Sequence, residues 1–141
     1  MSEKQNSALI QKLYDSFAKG DIQTILESVT EDVEWGMEGP ETIPYAGLKR
    51  GVAGVTQFFD SLTTTQTDMK LSVGQIIAQG DTVAMEGRYS FVAKATGRKV
   101  DSPIGHFFTI QNGKVARFIN FGDTAAIADA YRLGSAAGSG A

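Results

Sequence analysis

The 141-residue sequence contains no cysteine, which excludes a disulfide frame, a thiolate nucleophile and a Cys-bound metal. It has one histidine, and its carboxylates are scattered, so it offers no metal-ligand cluster, and no cofactor is expected. No apolar run approaches the roughly 18 residues of a membrane span. The opening MSEKQNSALIQKLYDSF mixes charged and apolar residues too closely for a secretory signal, which points to a cytoplasmic protein. Positive charge is not in excess: 13 Lys and Arg stand against 16 Asp and Glu, a net charge of −3, which argues against non-specific nucleic-acid binding. A glycine-rich phosphate loop is also missing, because GRYS and GKVA lack a strand–turn–helix setting. Only three prolines occur, and two of them crowd GMEGPETIPYAG with three glycines, so that stretch is a loop.

What is present is an ordinary globular composition, 42% hydrophobic and 21% charged, enough for one domain with one core. Residues 81–123 read as three strands, TVAMEGRYSFVAK, KVDSPIGHFFTI and KVARFINFG. The breaks ATGR and QNG carry Gly beside polar residues, as hairpin turns require. Leu9, Ile10, Leu13, Tyr14 and Phe17 follow the i, i+3, i+4, i+7 spacing of an amphipathic helix over Asn6 to Lys19. Gly20 stops it, and Asp21 caps a short helix from Ile22 to Val29. A brief strand from Val33 to Trp35, a helix from Arg50 to Leu62, a strand from Met69 to Ala78 and a closing helix from Asp123 to Leu133 complete the order α-α-β-α-β-β-β-β-α. The fold class is α+β, helices over a curved antiparallel sheet, in a single domain 1–133 followed by a flexible small-residue tail 134–141.

Five segments occur in a telling order: FAKGD (17–21), TEDVEW (30–35), YAGLKRGVAGVTQFF (45–59), SPIGHF (102–107) and NGKVARFINFGDTAA (112–126). Together they make the chain resemble the SnoaL-like and ketosteroid-isomerase-like branch of the nuclear transport factor 2-like (NTF2-like) superfamily, over roughly Ser7 to Leu133. The resemblance implies an NTF2-like cone: a bent sheet around an apolar pocket closed by three N-terminal helices, with a short C-terminal helix. It also implies a homodimer formed through the outside of the sheet. Such folds host isomerases, cyclases, hydrolases and non-enzymes, so function rests on the pocket residues.

By that resemblance the pocket-facing set is Gly87, Tyr89 and Phe91, then Asp101, Pro103, Gly105 and Phe107, then Ala116, Phe118 and Asn120. Steroid isomerisation of this type needs a carboxylate base and an oxyanion hole of a phenol and a protonated acid. Those positions fall on Met37 beside Glu38, on Leu13 beside Tyr14, and on Gly105, so the set is missing or displaced. The epoxide-hydrolase set falls on Gly87, Tyr89 and Asn120, and the acidic cyclase base near Asn120, which cannot take a proton at neutral pH.

The remaining catalytic candidates are Asp101, Asn120, His106 and the loop residue Glu38, with Glu41 near it. Asp101 becomes a usable acid or base if it lies under the apolar pocket, and is merely solvated if it lies at the rim. His106 has the pKa of a general base but points away from the pocket in this phase, unless a bulge near Pro103 or Gly105 reverses it. The outer face would then be Val100, Ser102, Ile104, His106, Phe108 and Ile110, apolar enough to pair with a second copy. Tyr14, Trp35, Tyr45, Tyr89, Phe107, Phe118 and Asn120 are the expected ligand-binding residues, suited to a small hydrophobic or polycyclic molecule. Two functions are open: isomerase-, cyclase- or hydrolase-type acid–base chemistry, or a non-catalytic ligand-binding or dimerisation module.

Overall fold

A computed structural model describes residues 2–133; the tail 134–141 lies outside the described residues. Helix α1 (Glu3–Ala18) opens with a capping box, in which Ser2 and Gln5 satisfy each other's amides. Its far anchor is the hairpin between strands three and four: the Glu3 carboxylate accepts from the Gly80 amide at 2.8 Å, and Asn6 Nδ2 donates to the Gly80 carbonyl at 3.3 Å. Two turns on, Ile10, Leu13 and Tyr14 are buried. Helix α2 (Ile22–Leu26) is capped by Asp21 and is shorter than expected, since Val29 already begins β1 (Val29–Met37).

Strand β2 (Gly47–Arg50) was not foreseen; it is four residues long and exists only as an antiparallel partner of β1. Helix α3 (Gly51–Thr65) runs past Leu62 through three threonines, whose hydroxyls donate back to the carbonyls of Phe59, Asp60 and Ser61. The meander then follows as β3 (Gln66–Gln79), β4 (Thr82–Ala93), β5 (Lys99–Gln111) and β6 (Lys114–Gly122), with α4 (Thr124–Tyr131) capped by Asp123. Asn112 and Gly113 both have positive φ, 51° and 76°, the type I′ turn that fits the twist of β5 and β6.

The sheet order is β2-β1-β6-β5-β4-β3, curved and not closed, with β1 and β6 parallel and every other pair antiparallel. Together with the helices this is the α+β architecture expected. The bend between β3 and β4 sits at a register shift after Val73, where Gly74 and Gly87 allow close backbone approach. A Cβ on Gly74 would lie 2.5 Å from the Glu86 carbonyl oxygen, and one on Gly87 would strike that of Ser72. No helix among the described residues is long and apolar enough to cross a membrane.

The phase of β5 is opposite to the expected one. Directly paired residues of an antiparallel ladder share a face. Tyr89 and Phe91, which face the helices, pair with Ser102 and Val100; Phe118 and Asn120 pair with Phe108 and His106. No register shift interrupts β4–β5 near Pro103 or Gly105. Val100, Ser102, Ile104, His106, Phe108 and Ile110 therefore line the core, and the proposed outer face is the inner one. Asp101 and Phe107 point outward: Asp101 pairs with Arg88 at 3.1 Å, and Phe107 is 48% exposed.

Candidate functional site

Beneath the concave face of the sheet, closed by α1, α3 and α4, lies a cavity of about 90 Å³. Its walls are mostly aromatic and aliphatic, with Phe17, Phe59, Phe91, Phe108, Phe118 and Ile104 among them. Trp35, the one tryptophan of the sequence, packs tilted against Phe118 with ring centroids 4.3 Å apart, because β1 and β6 pair Trp35 directly with Phe118. An engineered apolar cavity of roughly 150 Å³ holds a benzene ring. The present space is smaller and suits a few waters, so a ring compound needs side chains to move.

Besides Trp35 Nε1 and Ser102, polar groups gather in this apolar space at two places. At the first, α1 brings Tyr14 against β5, and the Tyr14 hydroxyl lies 2.7 Å from His106 Nδ1. The two rings also stack, and His106 packs edge-on against Phe118. Burial holds the imidazole down to about 3, with the neighbouring Asn120 amide pulling the other way. Burial likewise pushes the Tyr14 phenol above the ordinary tyrosine range. Both groups are therefore neutral near pH 7, and in the tautomer with its hydrogen on Nε2, facing Asn120, the imidazole accepts the Tyr14 hydrogen at Nδ1. A neutral imidazole that accepts at Nδ1 carries its own hydrogen on Nε2. Asn120, directly across the ladder from His106, has a carbonyl Oδ1 with no hydrogen-bond partner among the described residues, while its Nδ2 makes only a 3.8 Å contact to Met37 Sδ.

At the second place, Tyr45 and Tyr89 face the cavity around Gln66, the first residue of β3. The Tyr89 hydroxyl donates to Gln66 Oε1. Burial raises the pKa of Tyr45 and Tyr89, with a smaller push from the nearby Tyr131.

Of the residues singled out from the sequence, Tyr14, Trp35, Tyr45, Tyr89, Phe118, His106 and Asn120 come together around the cavity. Asp101, Phe107 and Glu38 do not. Asp101 and Phe107 face outward for the register reason given above. Glu38 is exposed and borders a groove of about 340 Å³ with Leu48, Arg117 and Phe121, which meets the cavity's lining only at Asn120 and Gly122. Glu41 is exposed as well. Gln66 was missed, since a lone glutamine inside TTTQT gives no pattern to read. No group of three or more metal-ligating side chains occurs among the described residues.

The sequence matches the profile of the SnoaL-like domain over residues 10–118. No curated protein matches it. Among solved structures, an NTF2-like protein of unknown function from Burkholderia pseudomallei K96243 superposes with a TM-score of 0.82 at 25% identity, covering 94% of this chain and 100% of that one. TerC, co-crystallised with polyporic acid, gives a TM-score of 0.80 at 29% identity over 90% of this chain and 98% of its own. A candidate SnoaL-like polyketide cyclase from Jannaschia sp. CCS1 gives 0.79 at 19% identity, covering 93% and 94%, and shares the fold. With a matching profile across most of its length and an NTF2-like architecture, the chain belongs to the SnoaL-like family.

Proposed function

We propose that the protein binds a mostly apolar ring compound in the cavity and uses Tyr14, His106 and Asn120 to hold, and to move a proton on, a ring hydroxyl or enolisable carbonyl. The observation that carries this reading is the 2.7 Å Tyr14–His106 hydrogen bond inside an otherwise apolar enclosure. A ligand hydroxyl that donates to the Tyr14 oxygen lets the Tyr14 proton pass to Nδ1 as the ligand proton replaces it. The ligand is left as an oxyanion, and His106 as an imidazolium with Nε2–H directed to an acceptor such as Asn120 Oδ1. An imidazole held at about 3 resists a lone positive charge, so the step requires the oxyanion to form beside it. The likeness to TerC, which was crystallised with polyporic acid, supports a ring-bearing organic acid as ligand.

Polyporic acid is accordingly the first probe, and Trp35 fluorescence the readout. Saturable quenching that weakens in Tyr14→Phe and Asn120→Ala is the expected result; absence of quenching would sink the binding half of the reading. For the proton step, β-tetralone in deuterium oxide should gain deuterium beside its carbonyl with wild type and not with His106→Gln. If wild type shows no exchange above buffer, the proton-transfer half of the reading fails.

A second copy of the chain is the partner we infer for the outer face. Phe107 and Phe121, 48% and 57% exposed, form an edge-to-face pair there at 5.9 Å, next to Ile119. Sedimentation should give a dimer that Phe121→Lys converts to monomer; a monomeric wild type would refute it.

A further inference from the structure

Three buried side-chain atoms without partners belong to residues that line the cavity: Trp35 Nε1, Gln66 Nε2 and Asn120 Oδ1. Two are donors and one is an acceptor, and they do not share one location. Buried polar groups in folded proteins are nearly always paired; Asn120 Oδ1 has the His106 ring beside it, whereas Gln66 Nε2 has no such neighbour within hydrogen-bond distance.

The Gln66 end is the more specific of the two. Gln66 is 2% exposed and sits at the joint where α3 passes into β3, with its backbone N–H donating to Leu62. Its Oε1 is already taken by the Tyr89 hydroxyl, which fixes the amide and leaves Nε2 as the free group. The phenol oxygens of Tyr45 and Tyr131 lie near the amide and are kept neutral by burial, but neither comes within hydrogen-bond distance of Nε2. A neutral, donor-rich end of this kind takes an acceptor oxygen.

The separation of the two ends follows from the ladder. Tyr89 pairs with Ser102, and His106 lies four residues farther along β5, so the backbone positions of Tyr89's partner and His106 are about 13 Å apart by strand rise. Between them the walls are hydrocarbon, with Ile104, Phe91 and Phe118 facing in.

We propose that Gln66 is a second ligand-anchoring residue, and that the ligand is an elongated ring compound with a carbonyl-type oxygen at the Gln66 end and a hydroxyl at the Tyr14–His106–Asn120 end. This rests on the reading that the cavity binds a ring compound. It adds a requirement for oxygen at both ends, and it selects linked or fused rings over a single small one. A ligand of that length displaces side chains from the present space, and its far oxygen completes the bond of Gln66 Nε2.

Two probes separate this inference from the reading beneath it. Para-phenylphenol carries a hydroxyl at one end only; its para′-acetyl derivative adds a ketone at the far end. Both are titrated against Trp35 fluorescence in wild type and in Gln66→Met, which removes the amide and keeps the length. Wild type is expected to bind the acetyl compound about tenfold more tightly, the effect of one well-made hydrogen bond. Gln66→Met should abolish that preference, so that the two probes bind it with equal affinity. If wild type binds both probes equally, ordered water serves Gln66 and the second anchor is refuted while the cavity reading stands. A preference that survives in Gln66→Met also refutes it. Binding of neither probe overturns both readings. The wild-type comparison needs no variant, so a misfolded Gln66→Met does not rescue the idea.

Discussion

The two faces of β5 differ by one residue of phase and by almost everything else. The inner face presents Ser102, Ile104, His106, Phe108 and Ile110, and the outer face Asp101, Pro103, Gly105, Phe107 and Thr109. Each carries one phenylalanine and one titratable group. On the inner face the titratable group is stripped of water and joined to a phenol 92 residues away in sequence. On the outer face it is a solvated carboxylate beside an arginine. Chemical character here follows from position in the ladder and not from residue type.

The sharpest way to break that comparison is to truncate the paired phenylalanines. Phe108→Ala removes a ring packed edge-on against Tyr14 and tilted against Phe118, and should cost about 3–5 kcal/mol in urea unfolding. Phe107→Ala, on the exposed face, should cost well under half as much in the monomer. Equal losses would mean the phase of β5 is wrong.

Acid sensitivity comes next in size. Histidine in an unfolded chain titrates near 6.5, and folded His106 is held at about 3. Between those values the unfolded chain binds more protons, so stability present above pH 6.5 falls as pH drops through 3. The loss is of order 3–5 kcal/mol. It should shrink in His106→Gln, and the single histidine should show no NMR titration between pH 5 and 8. A midpoint near 6.5 in the folded protein would contradict its burial.

Tyr14→Phe keeps the ring and leaves Nδ1 without its donor, at a cost of about 1–3 kcal/mol in denaturant unfolding. The smallest effect belongs to Asp101→Asn. Its ion pair with Arg88 joins side chains that are both more than half exposed, so the change should stay below about 1 kcal/mol. A loss as large as that of Tyr14→Phe would show that Asp101 does more than pair with Arg88.

The same strand marks the limit of what could be read in advance. Helices α1 and α3 announce themselves because their apolar residues repeat at helical spacing, and the β5–β6 turn because Asn112-Gly113 fits a type I′ geometry. Strand β2 is invisible: GLKR has no pattern and is ordered by β1 alone. The phase of β5 is only half legible: Val100, Ile104, Phe108 and Ile110 alternate with Asp101, Gly105 and Thr109, but Phe107 stands on the outer side and Ser102 and His106 on the inner. Only its register with Tyr89 and Asn120 decides the matter. Tyr14 and His106 stand out singly, yet nothing local joins them, since their contact depends on α1 crossing the sheet. Gln66 gives no signal at all, because a buried glutamine and an exposed one look alike in a run of threonines.

The parallel pairing of β1 with β6 bears on how the chain reaches its native state. Strands β3 to β6 form hairpins of neighbours in sequence, whereas β1 must find β6 across nearly the whole domain. Contacts of such long separation pay the greater loop-closure entropy and tend to set the folding rate. The meander is thus expected to assemble first, with β1 docking in the slow step. Trp35 lies on β1 against Phe118, so its fluorescence should lag behind the circular dichroism of the strands during refolding. The wall that completes the binding chamber would then be the last to arrive, and an immature chain could hold most of its sheet while having nowhere to put a ligand.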